Sequence, residues 1–346
     1  MVKEIRVYQW GSKQHPRNFG DLISKKLVEK ITAARPIVVD TKTAELLAVG
    51  SILTEFDKRY PEAKVIWGSG FIEYGDVYQT VEPTIAAVRG KLTAERLNFH
   101  GAMGDPGLLV SKYFRKGKYQ SGRIGIVPHF FDKNNPMLTK FLSDDRYKII
   151  DVEQEPEVVI EQITTCDIVY SSSMHGLIVA DSFNLPNFYI EFESKTHGND
   201  FKFQDYYSIF DNRNFEDAKC DSFFLESYEK SLGRKEKWVG IDNLECVQEA
   251  LIMALLNNMA AVLVDSEMST DERITDVNNL EIIKYDFDKI KIFTQFKPFR
   301  QYKAYAHFKE EMTTRGFQEI YQNPEYTLFK RKNITNKTLN ITITIY

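Results

Sequence analysis

The sequence predicts an α/β protein built from two doubly wound, Rossmann-like halves and an additional C-terminal segment. Three observations carry that prediction. Short apolar strands alternate with helical stretches over residues 5–97, the pattern of a parallel sheet wrapped by helices. A polar, glycine-containing run over residues 115–122 (RKGKYQSG) interrupts the pattern, which restarts at Ile124. The chain has 346 residues, more than one domain usually holds, and its 43% hydrophobic and 27% charged residues suffice for a sizeable core. The expected organisation is a first domain over residues 1–115, a second over 123–264 and an extension of unknown role over 265–346.

In the first half, residues 5–10 read as a strand, followed by a polar loop and a helix over 22–31 whose apolar residues recur at helical spacing. Asp21, or the glycine before it, would cap that helix. Strands follow at 36–40, 46–53, 65–67 and 85–88, and a helix at 91–97. Ligands of such sheets sit beyond the carboxyl ends of the strands. Those ends carry Asp21, Gly50, Ser51, Gly68, Ser69, Gly70 and Arg89, a floor of small residues with one arginine that suits a phosphorylated ligand.

The second half repeats the alternation, with strands at 124–129, 147–152, 168–170 and 186–192 and helices at 136–142 and 157–163. Its centre is YSSSMHGLIVADSFNLP, residues 170–186. A strand ends in three serines and opens a helix, which sets backbone N–H groups and a helix dipole beside Ser172, Ser173 and the imidazole of His175. That is an anion-binding geometry with a proton-transfer group in it. Residues 193–207 are polar and aromatic, 244–264 read as a long helix, and 282–285 and 326–331 as strands. Phe296, Lys297, Phe299 and Arg300 suit a membrane surface, although a packed core with a solvated face accounts for them more simply.

Composition narrows the function. A net charge of −4 offers no basic field for nucleic acid. Cys166, Cys220 and Cys246 are odd in number and far apart, which argues against a zinc site or disulfide framework. Residues 1–10 carry charges where a signal peptide needs an apolar core, and no run of about 18 apolar residues exists, so a cytoplasmic protein is expected. Oligomeric state is not legible.

Taken in order, NFGD, AVGSIL, WGSGF, VRGKLT, GDPGLL, IGIVPHF, SSSMHGLIVADSFNLP and KFQDYYS resemble the polysaccharide pyruvyl transferase family, and within it the succinoglycan-type ketal pyruvyl transferases. The motifs span residues 8–207. The resemblance implies a glycosyltransferase-B-like pair of Rossmann domains with the active site in the cleft between them. It implies transfer of the enolpyruvyl unit of phosphoenolpyruvate onto two hydroxyls of one sugar, giving a cyclic ketal and phosphate. The implied acceptor is a lipid-linked or nucleotide-linked saccharide for exopolysaccharide or capsule, met at the inner face of the membrane. No metal and no cofactor besides the co-substrate phosphoenolpyruvate is implied.

Carried over by the same likeness, His175 is the general acid/base; the competing reading is a buried histidine bonded to a backbone carbonyl. Ser173 stands where some members carry a donor-contacting arginine, which leaves the donor to Ser172, Ser173, Gly176 and a cation from elsewhere. Arg89 would bind donor phosphate or carboxylate, or else be structural, capping the next helix or pairing with Asp105. Asp21 would take an acceptor proton or serve as a helix cap. His129 would meet the ligand from the second half, or else pack in its turn. Lys202 and Tyr206 would give a cation and a stacking ring, or a solvated lysine and a core tyrosine. Gly50, Ser51, Gly68 and Gly70 would shape the cleft. Two other functions fit the framework: a nucleotide-sugar glycosyltransferase, and a non-catalytic saccharide-binding relative that Ser173 keeps in view.

Overall fold

Runs of Val, Ile and Leu only two to five residues long, buried on both faces, are the signature of parallel strands. They form two such sheets in the computed structural model, which describes residues 4–10, 17–32, 34–192, 200–221 and 223–258 and the strands at 318–322, 326–332 and 338–344. The first sheet contains β1 (Glu4–Tyr8), β2 (Arg35–Val39), β3 (Leu46–Leu47), β4 (Val65–Ser69), β5 (Thr84–Val88) and β6 (Ala102–Met103), in the order β2-β1-β3-β4-β5-β6 and all parallel. The second contains β7 (Ile124–Val127), β8 (Tyr147–Ile149), β9 (Ile168–Ser171) and β10 (Asn187–Tyr189), in the order β10-β9-β7-β8 and again parallel.

Both sheets therefore share one layout, with the first strand lying between the second and the third. The strand order reverses beside β1 in one sheet and beside β7 in the other, and ligands bind outside the carboxyl ends at such reversals. Four chain exits flank the two reversals: Trp10 after β1, Gly50–Ser51 after β3, Pro128–His129 after β7 and Ser172–Ser173 after β9.

Helices complete the α/β layers: α1 (Phe19–Thr32), α2 (Phe56–Arg59), α3 (Lys91–Arg96), α4 (Val110–Tyr113), α5 (Pro156–Thr164), α6 (Met174–Ser182), α7 (Phe201–Tyr207), α8 (Phe215–Ala218), α9 (Tyr228–Gly233) and α10 (Leu244–Asn258). The chain divides into two compact units, Met1–Asp265 and Ser266–Tyr346. Both parallel sheets lie in the first, and one apolar core runs from Ile5, Val7 and Trp67 through to Val127, Val169 and Leu177. Helix α10 packs on the first sheet, where its Leu251 carbonyl accepts from Trp67 Nε1 at 2.8 Å and Gln248 Nε2 donates to the Leu108 carbonyl at 2.6 Å. Helix α6 is tied to the same segment by Ser182 Oγ, which donates to the Leu108 carbonyl at 2.6 Å. In the second unit β11 (Gln318–Gln322), β12 (Tyr326–Lys332) and β13 (Thr338–Thr344) pair antiparallel.

Several expectations shift. The strand expected over 46–53 stops at Leu47, and Gly50 turns the chain with φ +119°. Residues 136–141 form a 3₁₀ turn opened by Pro136, with Asn135 accepting from the Met137 N–H. The polar and aromatic stretch contains a helix, α7, that the sequence reading lacked. Asp21 is not the cap of α1: it is the third residue of the helix, and Asn18 ahead of it accepts from the Gly20 N–H at 3.3 Å. Residues 259–264 of the expected long helix, the expected strand at 282–285 and the aromatic-basic group at 296–300 lie outside the described residues. Among the described residues no helix is long and apolar enough to cross a membrane.

Candidate active site at the carboxyl ends of two sheets

The turn between β9 and α6 is fixed from within. Ser171 Oγ lies 2.9 Å from the Val127 carbonyl and 2.7 Å from the Ser173 carbonyl, its one proton shared between them, and it accepts from the Ser173 N–H. A side chain at Gly176 would meet that hydroxyl at 2.3 Å, so the close approach needs glycine. Ser172 joins the exits of β9 and β7: its Oγ donates to Asp132 Oδ2 at 2.7 Å and accepts from the His129 N–H at 2.8 Å. His175 thus enters the site in the first turn of α6, held from below by a closed hydrogen-bond set.

The first half meets it there. The His175 ring lies directly on Gly20 of α1, where a Cβ would fall 2.0 Å from Nδ1. Its Nε2 faces Asp105 Oδ2 at 3.9 Å, and neither atom has a hydrogen-bond partner although both are buried. The other oxygen, Asp105 Oδ1, accepts from the Gly107 N–H at 2.8 Å and opens the 3₁₀ turn Pro106–Leu109. Asp21 accepts from Asn18 Nδ2 at 2.8 Å, and its Oδ1 packs against Gly50. Lys202, half-buried on α7, has no hydrogen bond or ion pair among the described residues and lies over the Phe203 ring. The His129 ring packs tilted against Phe130, and the neighbouring Phe131 is 74% exposed.

Burial dominates the electrostatics, and it pushes each group toward its neutral form. Burial raises Asp21 to about 7, the charge of Asp105 adding to it while the Asn18 amide and Lys202 oppose it. Burial raises Asp105 to about 6 against the Gly107 N–H and the charge of Arg89. His175 falls to about 3 through burial and then through the positive charges of Lys202 and Arg89. His129 also falls to about 3, by burial and by Lys202. Burial and Arg89 lower Lys202 to about 8, and Asp21, Asp132 and Asp200 hold it up. The mutual influence of Asp21, Asp105, His129, His175 and Lys202 puts them in one electrostatic neighbourhood.

Two expected ligand contacts do not hold. The Arg89 guanidinium is fully buried: Nε donates to Asp205 Oδ2 at 2.9 Å, Nη1 to Ser51 Oγ at 2.5 Å and Nη2 to the Phe71 carbonyl. Gly70 makes room for it, since a Cβ there would lie 2.4 Å from Cζ. Its partner is Asp205, not Asp105, and it is Asp205 that caps α3, accepting from the Thr93 N–H at 2.8 Å and from Thr93 Oγ1 at 2.7 Å. Arg89 therefore acts on the site through its field. Tyr206 is no stacking surface: it is buried, with its hydroxyl donating to Asp181 Oδ2 at 2.8 Å.

The remaining candidates keep supporting places. Ser51 accepts from Arg89, and Ser173 is buried with its carbonyl engaged by Ser171 and by the Gly176 N–H. At Gly68, φ is +76° and a Cβ would collide with Pro106 at 2.3 Å. Sequence reasoning offered Asp105 only as a structural partner of Arg89 and Gly20 only as a helix cap, and it missed Asp132 and Asp205. Asp105, Gly20 and Asp205 stand inside GDPGLL, NFGD and KFQDYYS, so a signal was present without the role they take here; Asp132 has none. Among the described residues no group of three His, Cys, Asp or Glu side chains is arranged to hold a metal ion.

Comparison with known proteins assigns the family. The family model described as polysaccharide pyruvyl transferase matches residues 18–194, a span that includes Asp21, Asp105, His129 and His175 and stops short of Lys202. The chain is 30% identical over 211 residues to an uncharacterized protein of Acanthamoeba polyphaga mimivirus, covering 56% of this chain and 71% of that one. It is 29% identical over 189 residues to the succinoglycan biosynthesis protein ExoV of Rhizobium meliloti (strain 1021), covering 53% of this chain and 58% of that one. The chain belongs to the polysaccharide pyruvyl transferase family and is a transferase.

Proposed function

We propose that the protein transfers the pyruvyl unit of phosphoenolpyruvate to two hydroxyls of one sugar in a surface-polysaccharide precursor, as a cyclic ketal, with release of phosphate. The observation that carries this reading is Lys202, a cation without a partner among the described residues, beside two groups able to move protons, His175 and Asp21. The reaction balances on such a set. One proton adds to the enol methylene, and the two hydroxyls each bond to the neighbouring carbon and lose a proton. The phosphate–carbon bond breaks. Of the two protons lost, one replaces that given to the methylene and the other leaves with phosphate.

In this reading Lys202 and the N–H groups of Met174 and His175, in the first turn of α6, hold the donor, replacing the cation that Ser173 lacks. His175 is neutral in the empty site; an anion of several charges beside it favours the imidazolium, which then protonates the methylene. Asp21, raised to about 7, is poised to accept a hydroxyl proton. Exposed Phe131 offers an apolar face to the acceptor ring. Residues 1–115 and 123–264 act as the two facing halves of a glycosyltransferase-B-like enzyme. The acceptor is lipid-linked or nucleotide-linked and is met at the cytoplasmic face of the membrane.

Calorimetric titration with phosphoenolpyruvate, run beside a panel of nucleotide sugars, tests the reading. Phosphoenolpyruvate should bind saturably, and Lys202→Ala should weaken it by about 1.5–3 kcal/mol, the scale of one charged hydrogen bond. Affinity should also fall as pH rises through about 8, where Lys202 loses its proton. Binding of a nucleotide sugar alone would replace this function with glycosyl transfer, and binding of neither with a non-catalytic role.

A further inference from the structure

We infer that Asp105 and His175 form a carboxylate–imidazole couple, in which Asp105 is a positioning residue that binds the Nε2 edge and leaves Nδ1 as the atom that exchanges a proton with substrate. The inference rests on the reading of His175 as the acid/base group and assigns that group its tautomer and its support.

Two buried polar atoms without partners face each other at 3.9 Å, Nε2 of His175 and Oδ2 of Asp105. A buried donor or acceptor left unmade is costly, and closing the gap by about 1 Å satisfies both at once. The carboxylate cannot swing away to find another partner, because Oδ1 is held by the Gly107 N–H and the residue opens the Pro106–Leu109 turn. The ring has little freedom either. It rests on the bare Cα of Gly20, inside a helix where a side chain would strike Nδ1 and Cγ at 2.0 and 2.2 Å. With Nε2 turned inward, Nδ1 is the nitrogen left for substrate.

The charges around the imidazole make this support necessary. Arg89 beyond β5, Lys202 on α7 and His129 beyond β7 all disfavour a positive ring. Asp21 on α1 is itself pushed toward neutrality. Among the described residues the one carboxylate oxygen within 4 Å of a ring nitrogen is that of Asp105. An imidazolium formed during proton transfer is therefore stabilised by Asp105 from behind and by a bound anion in front.

The test reads the tautomer directly, by long-range ¹H–¹⁵N correlation spectra of the full-length ¹⁵N-labelled protein at about pH 7. The His175 signals are identified by their loss in His175→Gln. The parent should show Nε2 protonated and Nδ1 bare. In Asp105→Asn the amide oxygen keeps the bond from Gly107, so the NH₂ faces the ring and the tautomer should flip to Nδ1–H. A parent spectrum with Nδ1 protonated overturns the inference without any variant, as does an unchanged tautomer in an Asp105→Asn protein that unfolds like the parent. Neither spectrum involves the donor, so this result stands apart from the phosphoenolpyruvate titration.

Discussion

Replacing Asp21 by Asn should stabilise the protein at alkaline pH and leave it unchanged at acid pH. Asp21 is 7% exposed, its carboxylate receives one neutral amide at 2.8 Å, and Asp105 lies nearby. Burial therefore raises it from an ordinary 3.8 to about 7. A raised carboxyl binds its proton more tightly folded than unfolded, so its contribution is full below about pH 4 and is lost as pH climbs through 7. Integrated over that window the loss is at most about 4 kcal/mol, and local relaxation brings it to about 2. For a unit of this size that is a melting temperature about 5 °C higher for Asp21→Asn at pH about 8.5, about 2 °C higher at pH about 5, and equal to the parent only below about pH 4. The two depressed histidines, His129 and His175, have the opposite sign, since they lose stability as pH falls below about 6.5. They are common to both proteins and cancel in the difference. Scanning fluorimetry of parent and variant at these pH values is the assay. A pH-independent difference, or a variant less stable at alkaline pH, would refute the burial argument. Loss of turnover together with the gain in stability is the signature of a carboxyl retained for chemistry.

Three further substitutions separate chemistry from scaffolding. Gly20→Ala, which inside a helix ordinarily gains about 0.5–1 kcal/mol, should instead destabilise by about 1–3 kcal/mol and stop turnover, because the new methyl displaces the His175 ring. Chemical denaturation and product formation check both halves of that statement. Arg89→Ala should cost about 3–5 kcal/mol by leaving Asp205 buried and unpaired. An undiminished denaturation midpoint with donor affinity lost would restore Arg89 as a ligand contact. His175→Ala should abolish ketal formation while phosphoenolpyruvate still binds, read by calorimetry and by phosphate release; retained turnover would remove it from the mechanism.

Much of the layout was legible because parallel strands are continuous apolar runs, and such runs stand out between polar loops. The exits of β3, β4, β5 and β9 were found from Gly, Ser and Arg at their ends. Helix α7 was not legible: its aromatic residues Phe201, Phe203, Tyr206 and Tyr207 are buried by packing, and no capping side chain marks its start, where Asp200 has φ +63°. The same gap explains Arg89. An arginine at a strand end beside glycines reads as an anion ligand, and what makes it structural is Asp205, 116 residues later in chain order. Long-range partners of this kind leave no local pattern. Asp105 was hidden for a related reason, as GDPG reads as a turn and does turn the chain, yet only the fold brings its second oxygen to His175.

The glycines of the site share one logic. Gly20, Gly70 and Gly176 each lie against a side chain the site depends on, namely His175, Arg89 and Ser171, at distances no Cβ could occupy. A glycine in a helix or beside a strand end forgoes stability. Here each one lets a polar or charged group pack on bare backbone, where it is desolvated and cannot choose another rotamer. Burial keeps His175 and Asp21 near neutrality and Lys202 short of its usual basicity in the empty site. An anion entering beside Lys202 reverses the balance for His175 and Lys202, which then bind their protons more tightly. In the proposed reaction, donor binding and the arming of the proton donor are therefore one electrostatic event.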